Sequence, residues 1–370
     1  MGLHRQVRRL LKTRSGWIAA ALVAVGLVAR ASAQGAGAPG AGAQPASEAR
    51  QLVVERVELT GAPRTRPDVI QRYLLLTAGQ PLQAEDLLAG RQRLSDTGFF
   101  KSVDVYARPG SEKGLVVVVV DVQEHRWPQY RFKGGHSELD GWYIAPVGFV
   151  YDNFSGHGHR LDWESYVGSH VDGETLHYQH PRLFADTAVL DVELFSQDQS
   201  FPHFIRGAAV HETVATGGTR VRYTAKRGRF RSLYGQLRTQ TYRPEANVKL
   251  DPLLHDDLQR QRVTALGLGL QADTRDHVGH PTSGFWGRAM LEQGMGAGIG
   301  DLWFTKLTVD GRWYVPLSGR NVIAVRAHGG LVTEGAPFYE RYYLGGPYSL
   351  RGFDWAELAP LGWGTRLLSM

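Results

Sequence analysis

The chain has 370 residues, with 42 Lys and Arg against 36 Asp and Glu, for a formal net charge of +6. Residues 1–33 contain basic but no acidic side chains, and the rest of the chain carries 36 of each and is close to neutral. This balance removes the main argument for nucleic-acid binding. Cysteine is absent, which excludes disulfides, thiol nucleophiles and cysteine metal ligands.

The first 50 residues predict export and a tether. Residues 1–33 combine a basic stretch, an apolar run at 17–28 and Ala31-Ser32-Ala33 before Gln34, which is the pattern of a cleaved signal peptide. The apolar run is shorter than the ~20 residues that a membrane helix requires. Residues 34–50 are rich in Gly, Ala, Pro and Gln and predict a flexible linker.

Residues 51–125 predict a small α+β domain. A strand at 53–61 ends at Gly61, and a helix begins at Pro67 and is stopped by Gly79. A second helix covers 84–95 and ends near Gly98. Two strands then follow, at 102–110 and 114–124, so the predicted order is strand, helix, helix, strand, strand.

From about Tyr130 onward the chain alternates apolar and charged residues, as in 160–167, where Leu161 and Trp163 alternate with Asp162 and Glu164. We count about eleven such strands before residue 334, which is consistent with a barrel. A soluble sheet would also alternate, but a lipid-facing apolar stripe fits an exported protein better. The sequence therefore predicts an antiparallel transmembrane β-barrel over 126–370.

Several motifs add a family resemblance. The segment LGGPYSLRGF (344–353), with the preceding Glu340-Arg341-Tyr342-Tyr343, resembles a loop of the BamA/TamA outer-membrane assembly superfamily. Residues 148–168, 177–184 and 273–291 resemble other segments of that barrel, and 53–124 resembles a POTRA domain. The POTRA signature falls on Gly61, Leu94, Gly98, Phe99 and Val103.

The resemblance implies a 16-stranded barrel in which this loop folds into the lumen. Its docking motif would be Arg351, Gly352 and Phe353, with Gly345 and Gly346 before them. The family's acidic partner of the loop arginine and its closing strands have no match after residue 360. The sequence therefore accounts for only about 11–12 of the 16 strands. Either Arg351 pairs with Asp310 or Glu292, or the sequence is truncated at its C-terminus.

No enzyme is predicted, and no cofactor or metal. His157 and His159, His177 and His180, and His277 and His280 lack a third ligand at suitable spacing, so turn and loop positions are favoured. No G-x-S-x-G nucleophile motif occurs.

The resemblance implies a periplasm-facing POTRA domain that receives unfolded outer-membrane or secreted polypeptides. The barrel, in the outer-membrane bilayer, would insert or translocate them, with accessory periplasmic proteins or lipoproteins as further partners. The alternatives are a two-partner-type secretion pore, a passive porin and a non-functional fragment. Nucleic acid is not an expected partner.

Overall fold

The computed structural model describes residues 52–126, 128–137, 141–183, 188–228, 231–254, 259–318, 321–346 and 349–370. The predicted signal peptide and linker lie outside these residues. Among the described helices, none has both the length and the apolar character needed to cross a bilayer.

The N-terminal domain pairs two helices with a four-stranded sheet. Its elements are β1 (Leu52–Thr60), α1 (Pro67–Leu74), β2 (Pro81–Leu82), α2 (Ala84–Ser95), β3 (Phe100–Pro109) and β4 (Leu115–Glu124). The sheet order is β2-β1-β4-β3, with β1 parallel and β3 antiparallel to β4. One continuous core joins the helices to the sheet, and it contains Leu74, Leu94, Phe99, Val103 and Val118.

The first helix is shorter than the sequence predicts. Leu75 adopts the left-handed conformation with φ +56°, and its N–H donates to the carbonyl oxygen of Gln71, which ends α1 at Leu74. The expected stop at Gly79 is therefore wrong for α1. Because the apolar pattern continues through Leu76, the sequence contains no signal at Leu75 that would end the helix earlier.

Within the described residues, twelve antiparallel strands form the large sheet, and each pairs with the next along the chain. They are β5 (Gln129–Ser137), β6 (Gly141–Phe154), β7 (His159–Gly168), β8 (Val171–Arg182), β9 (Ala188–Ile205), β10 (Ala208–Arg227), β11 (Arg231–Pro244), β12 (Gln261–Asp273), β13 (Gly284–Gly294), β14 (Phe304–Ser318), β15 (Asn321–Val332) and β16 (Arg366–Ser369). A short helix α3 (Asp251–Leu254) follows β11, and a 3-10 helix (Phe338–Glu340) follows β15.

The large sheet exposes its apolar face and buries its polar face. In β11 the even-numbered residues of 234–242 are buried, Arg238 and Gln240 among them, whereas Leu233 and Leu237 point the other way and are exposed. A soluble sheet would bury the leucines instead. This inverted pattern is that of a membrane barrel, whose outer face contacts lipid.

The sheet curves around its polar face. The segment 338–342 contacts Phe201 on β9 and Arg238 on β11, and it also contacts Thr308 on β14. If the sheet were flat, the five spacings from β9 to β14 would span roughly 24 Å, more than the ~17 Å that five extended residues reach. The polar face is therefore the inner face of the curved wall.

The strand connections alternate between two ends of this wall. Strands β9, β11, β13 and β15 end at one side, which we call the loop end. Strands β6, β8, β10, β12 and β14 end at the other, which we call the domain end because the β6–β7 turn contacts the N-terminal domain there.

Candidate functional site

The described part of the connection 333–365 between β15 and β16 packs against the inner face near the loop end. We call it the plug loop. Its buried side chains pack on the wall in one apolar cluster, which includes Phe338, Tyr342, Trp355 and Trp363 from the loop, together with Val214, Val263, Ala265 and Phe304 from the strands. The aromatic rings of Phe201, Phe338 and Trp363 meet edge to face, with centroids 5.5–5.9 Å apart.

A buried ion pair anchors the plug loop beneath this aromatic cluster. The Arg238 guanidinium of β11 donates from Nη1 and Nη2 to the two oxygens of Glu340, at 2.7 and 2.9 Å. Both side chains are almost fully buried, with 7% and 4% of their surface exposed. Such a two-point contact fixes both the position and the orientation of the carboxylate.

Three neighbours complete the network around Glu340. Its carboxylate also accepts a hydrogen bond from the Tyr242 hydroxyl at 3.0 Å and one from Lys306 Nζ at 3.3 Å. The remaining guanidinium edge of Arg238 donates from Nε to Glu292 at 2.8 Å. Two cations thus meet two carboxylates from β11, β13, β14 and the loop, so no charge in this group is left unbalanced.

Tyr342 provides a second anchor, which depends on a glycine in the wall. Its hydroxyl donates to the carbonyl oxygen of Leu307 at 2.7 Å and lies 2.8 Å from the Thr308 hydroxyl. A Cβ at Gly330 on β15 would lie 2.2 Å from the Tyr342 ring, closer than any real contact. Gly330 therefore leaves the space into which the ring fits.

The predicted docking motif takes no part in the contacts of Glu340 and Tyr342 with the wall. Arg351, Gly352 and Phe353 form an exposed turn, and Phe353 has 41% of its surface exposed. The glycines before it are conformationally required, since Gly345 and Gly346 have φ of +113° and +94°. A Cβ at Gly345 would lie 2.4 Å from the carbonyl oxygen of Asp354.

The carboxylates proposed as partners of Arg351 are occupied by other cations. Asp310 accepts from Arg326 at 2.9 Å and lies 3.4 Å from Arg312. Glu292 accepts from Arg238. Both assignments to Arg351 are wrong, because these carboxylates are already neutralised by arginines of the same wall. The contacts that tie the motif's segment to the wall come from Glu340 and Tyr342 instead.

The POTRA-signature residues occupy the core and turns of the N-terminal domain. Leu94, Phe99 and Val103 are buried in its core. Gly61 and Gly98 have φ of +77° and +70° and end elements of the domain. At Gly61 a Cβ would lie 1.9 Å from the Val122 carbonyl oxygen, so the close approach of the chain to β4 requires glycine.

The β6–β7 turn joins this domain to the wall through buried hydrogen bonds. Asn153 Nδ2 donates to the Thr65 hydroxyl at 2.7 Å, and the Gly158 N–H donates to Asn153 Oδ1 at 2.8 Å. The Thr65 N–H in turn donates to Glu124 at 2.6 Å. A Cβ at Gly156 would lie 2.0 Å from the Arg64 carbonyl oxygen, so the turn can approach the domain this closely only with glycine at position 156.

The wall has its apolar face outward, its interior is plugged, and an α+β domain is held at one end. Together these features define an outer-membrane β-barrel protein with a periplasmic domain. A family model described as "Omp85 superfamily domain" matches residues 153–365, and a POTRA model described as "Surface antigen variable number repeat" matches residues 52–125. The first match covers more than half of the chain. The chain belongs to the Omp85 superfamily, and the N-terminal domain is hereafter called the POTRA domain.

Known proteins agree with this assignment. The outer membrane protein assembly factor BamA of Nitratidesulfovibrio vulgaris is 22% identical over 316 residues, which cover 84% of this chain and 39% of that protein. A putative outer membrane protein assembly factor of Treponema pallidum is 26% identical over 129 residues, which cover 34% of this chain and 15% of that protein. The chain thus spans well under half the length of these relatives.

Two solved structures share the fold. BamA from Haemophilus ducreyi lacking POTRA domains 1–3 has a TM-score of 0.69 at 19% identity, covering 84% of this chain and 61% of that one. CdiB from Acinetobacter baumannii has a TM-score of 0.53 at 16% identity, covering 83% and 57%. The predicted fold class and superfamily are confirmed.

Sequence reasoning missed the central contact of the plug loop. Glu340 lies just upstream of the recognised motif, but its partner Arg238 is about a hundred residues away. Period-two alternation can indicate that Arg238 lies on the polar face of a strand, but this residue was not singled out from the sequence. It could not give the register and curvature that bring this strand to the loop.

Proposed function

We propose that this protein is an outer-membrane protein assembly or polypeptide translocation factor. Its POTRA domain receives unfolded polypeptides in the periplasm, and its barrel inserts them into the outer membrane or passes them across it. The observation that carries this proposal is a POTRA sheet edge, β3, on a domain held against the periplasmic end of the barrel.

An unpaired sheet edge can bind an extended chain without demanding a particular sequence. Among the described strands, β3 has a single neighbour in the order β2-β1-β4-β3. Its residues Tyr106, Ala107 and Arg108 are exposed. Main-chain hydrogen bonds from a client strand would supply affinity there, as in other cases of β-strand addition.

The plug loop supports an assembly factor over a passive pore. An open pore selects solutes by the polar groups that line its water-filled interior. Here the interior near the loop end holds a cluster of aromatic side chains and a fully paired ion network. A barrel whose interior is blocked in this way at rest suits a protein that opens only during client insertion.

Site-specific photo-crosslinking tests client capture. A photoreactive amino acid at Tyr106 on the β3 edge should crosslink to an unfolded outer-membrane protein added to the full chain in proteoliposomes. The same group at Leu88, an exposed residue of α2, is the matched control and should crosslink much less. Equal crosslinking at both positions, or none at Tyr106, would contradict capture at this edge.

A further inference from the structure

The hairpin between β3 and β4 shows which main-chain groups of β3 face away from the POTRA sheet. Residues of an antiparallel strand point their N–H and C=O groups alternately towards and away from the paired strand. The Gly110 N–H donates to the Leu115 carbonyl oxygen at 2.9 Å, so the even-numbered residues of 104–108 point towards β4. The missing N–H of Pro109 falls on the open side, where an edge strand tolerates proline. The residues that turn their main-chain groups outward are therefore Val103, Val105 and Ala107.

A side chain of α2 occupies one of these outward groups. Arg91 donates from Nε to the Val103 carbonyl oxygen at 2.9 Å. Its Nη2 lies 3.4 Å from the Asp104 carboxylate, so two consecutive residues of β3 hold the guanidinium. Arg91 therefore lies where the backbone of an added strand would pair with Val103. Among the described residues, no side chain makes a hydrogen bond of this kind to Val105 or Ala107.

The open part of the edge is therefore short. Arg91 limits it on one side, and Pro109 limits it on the other because proline has no N–H to donate. An added strand can pair along about three residues, opposite 105–107. A strand held over so few residues makes few hydrogen bonds and is released readily. An edge open along all of β3 would hold a client longer and could also pair with the edge of a second copy.

We propose that Arg91 limits how much of β3 a client strand can occupy and thereby keeps client capture weak and reversible. This inference rests on the proposed function, because it concerns the same sheet edge. The partner is an extended polypeptide segment that alternates apolar and polar residues, as the strands of a membrane barrel do. Its apolar side lies next to Val105, which packs against the domain core, and its polar side lies next to the exposed Tyr106.

Binding of a strand peptide to the full chain in detergent micelles tests this role. The probe is a fluorescent peptide with the sequence of residues 159–168, which alternates in this way, and fluorescence anisotropy gives its dissociation constant. Arg91→Ala should tighten binding about 5- to 10-fold, because it opens Val103 to two further main-chain hydrogen bonds. The matched control Arg56→Ala removes an ion-paired arginine from β1 whose side chain is 54% exposed, against 55% for Arg91, and should leave the affinity unchanged.

A second peptide separates main-chain pairing from side-chain contact. N-methyl groups on its apolar residues remove the donors that would face β3, so this peptide should bind the parent chain and Arg91→Ala equally weakly.

Three results would overturn the role of Arg91 while leaving capture at β3, as tested by crosslinking at Tyr106, in place. These are unchanged or weaker binding by Arg91→Ala, an equal gain in Arg56→Ala, and a gain that persists with the methylated peptide. Absence of binding to both the parent chain and Arg91→Ala would contradict capture at this edge as well. If Arg91→Ala does not fold, Asp104→Asn loosens the arginine and should tighten binding about twofold. Unchanged affinity in that variant would equally refute the proposal.

Discussion

The substitution Glu340→Gln removes one charge from the centre of the plug-loop anchor. It keeps the size and shape of the side chain and one carbonyl oxygen that can accept hydrogen bonds. Arg238 would then have Glu292 as its charged partner, and Lys306 would lose the carboxylate that it contacts at 3.3 Å. The variant therefore isolates the electrostatic part of loop docking.

The magnitude follows from the burial of the pair. Removing one partner of a buried ion pair typically costs ~3–5 kcal/mol, because the other charge stays buried without compensation. Arg238 retains Glu292, so we expect the lower end, about 3 kcal/mol. This corresponds to roughly a 150-fold increase in the population of the released loop.

Hydrogen exchange of backbone amides measures this population directly. In Glu340→Gln, amides of 333–346 should exchange about 100-fold faster, whereas those of β11 and β14 should change little. Glu334→Gln makes the same chemical change at an exposed position of the same loop and should leave exchange unchanged. An increase below threefold in Glu340→Gln, or an equal one in Glu334→Gln, would refute the argument that this ion pair holds the loop.

Three further predictions concern the plug loop, the junction and the POTRA domain. Gly330→Ala should release the plug loop and speed its hydrogen exchange, because the new methyl group overlaps the loop tyrosine; Gly329→Ala, whose Cβ has its nearest neighbour at 3.4 Å, should not. Asn153→Ala should weaken the POTRA–barrel junction by ~1–3 kcal/mol, because it leaves buried donors and acceptors unpaired. The distribution of distances between spin labels on the POTRA domain and on the barrel should then broaden, and an unchanged distribution would contradict this. Hydrogen bonds from Arg56 and a second arginine lower the pKa of Glu58 below its ordinary 4.5. The stabilising contribution of Glu58 is therefore present above that pH and is lost as the pH falls through the lowered pKa. POTRA amides that exchange equally fast at pH 3.5 and pH 7, after correction for intrinsic rates, would show that Glu58 contributes nothing.

Much of the fold follows from local pattern. Period-two alternation predicted eleven barrel strands before residue 334, and the structure has β5 to β15 there. The helix at 84–95 and the chain order strand, helix, helix, strand, strand of the POTRA domain also follow from turn residues and apolar spacing, whereas the short β2 was not predicted. These features depend on neighbours within a few residues, which a single sequence displays.

The site depends on long-range geometry, and there the sequence was a weaker guide. Gly345 and Gly346 were named from the family resemblance, and their positive φ in the structure explains why glycine occupies both positions. The same resemblance assigned the anchor to Arg351, because Arg238 and Glu340 come together only when the wall curves. The same applies to Thr65 and Asn153, which are ordinary turn residues until the POTRA domain meets the barrel.

Client insertion in proteoliposomes tests the proposed function most directly. The rate at which an unfolded outer-membrane barrel protein becomes protease-resistant would be compared for protein-free liposomes, the full chain, and a variant lacking 52–125 whose barrel is shown to be folded. We predict that the full chain accelerates insertion and that the variant returns the rate to that of protein-free liposomes. Equal acceleration by both proteins, or none by the full chain, would contradict an assembly factor that works through its POTRA domain.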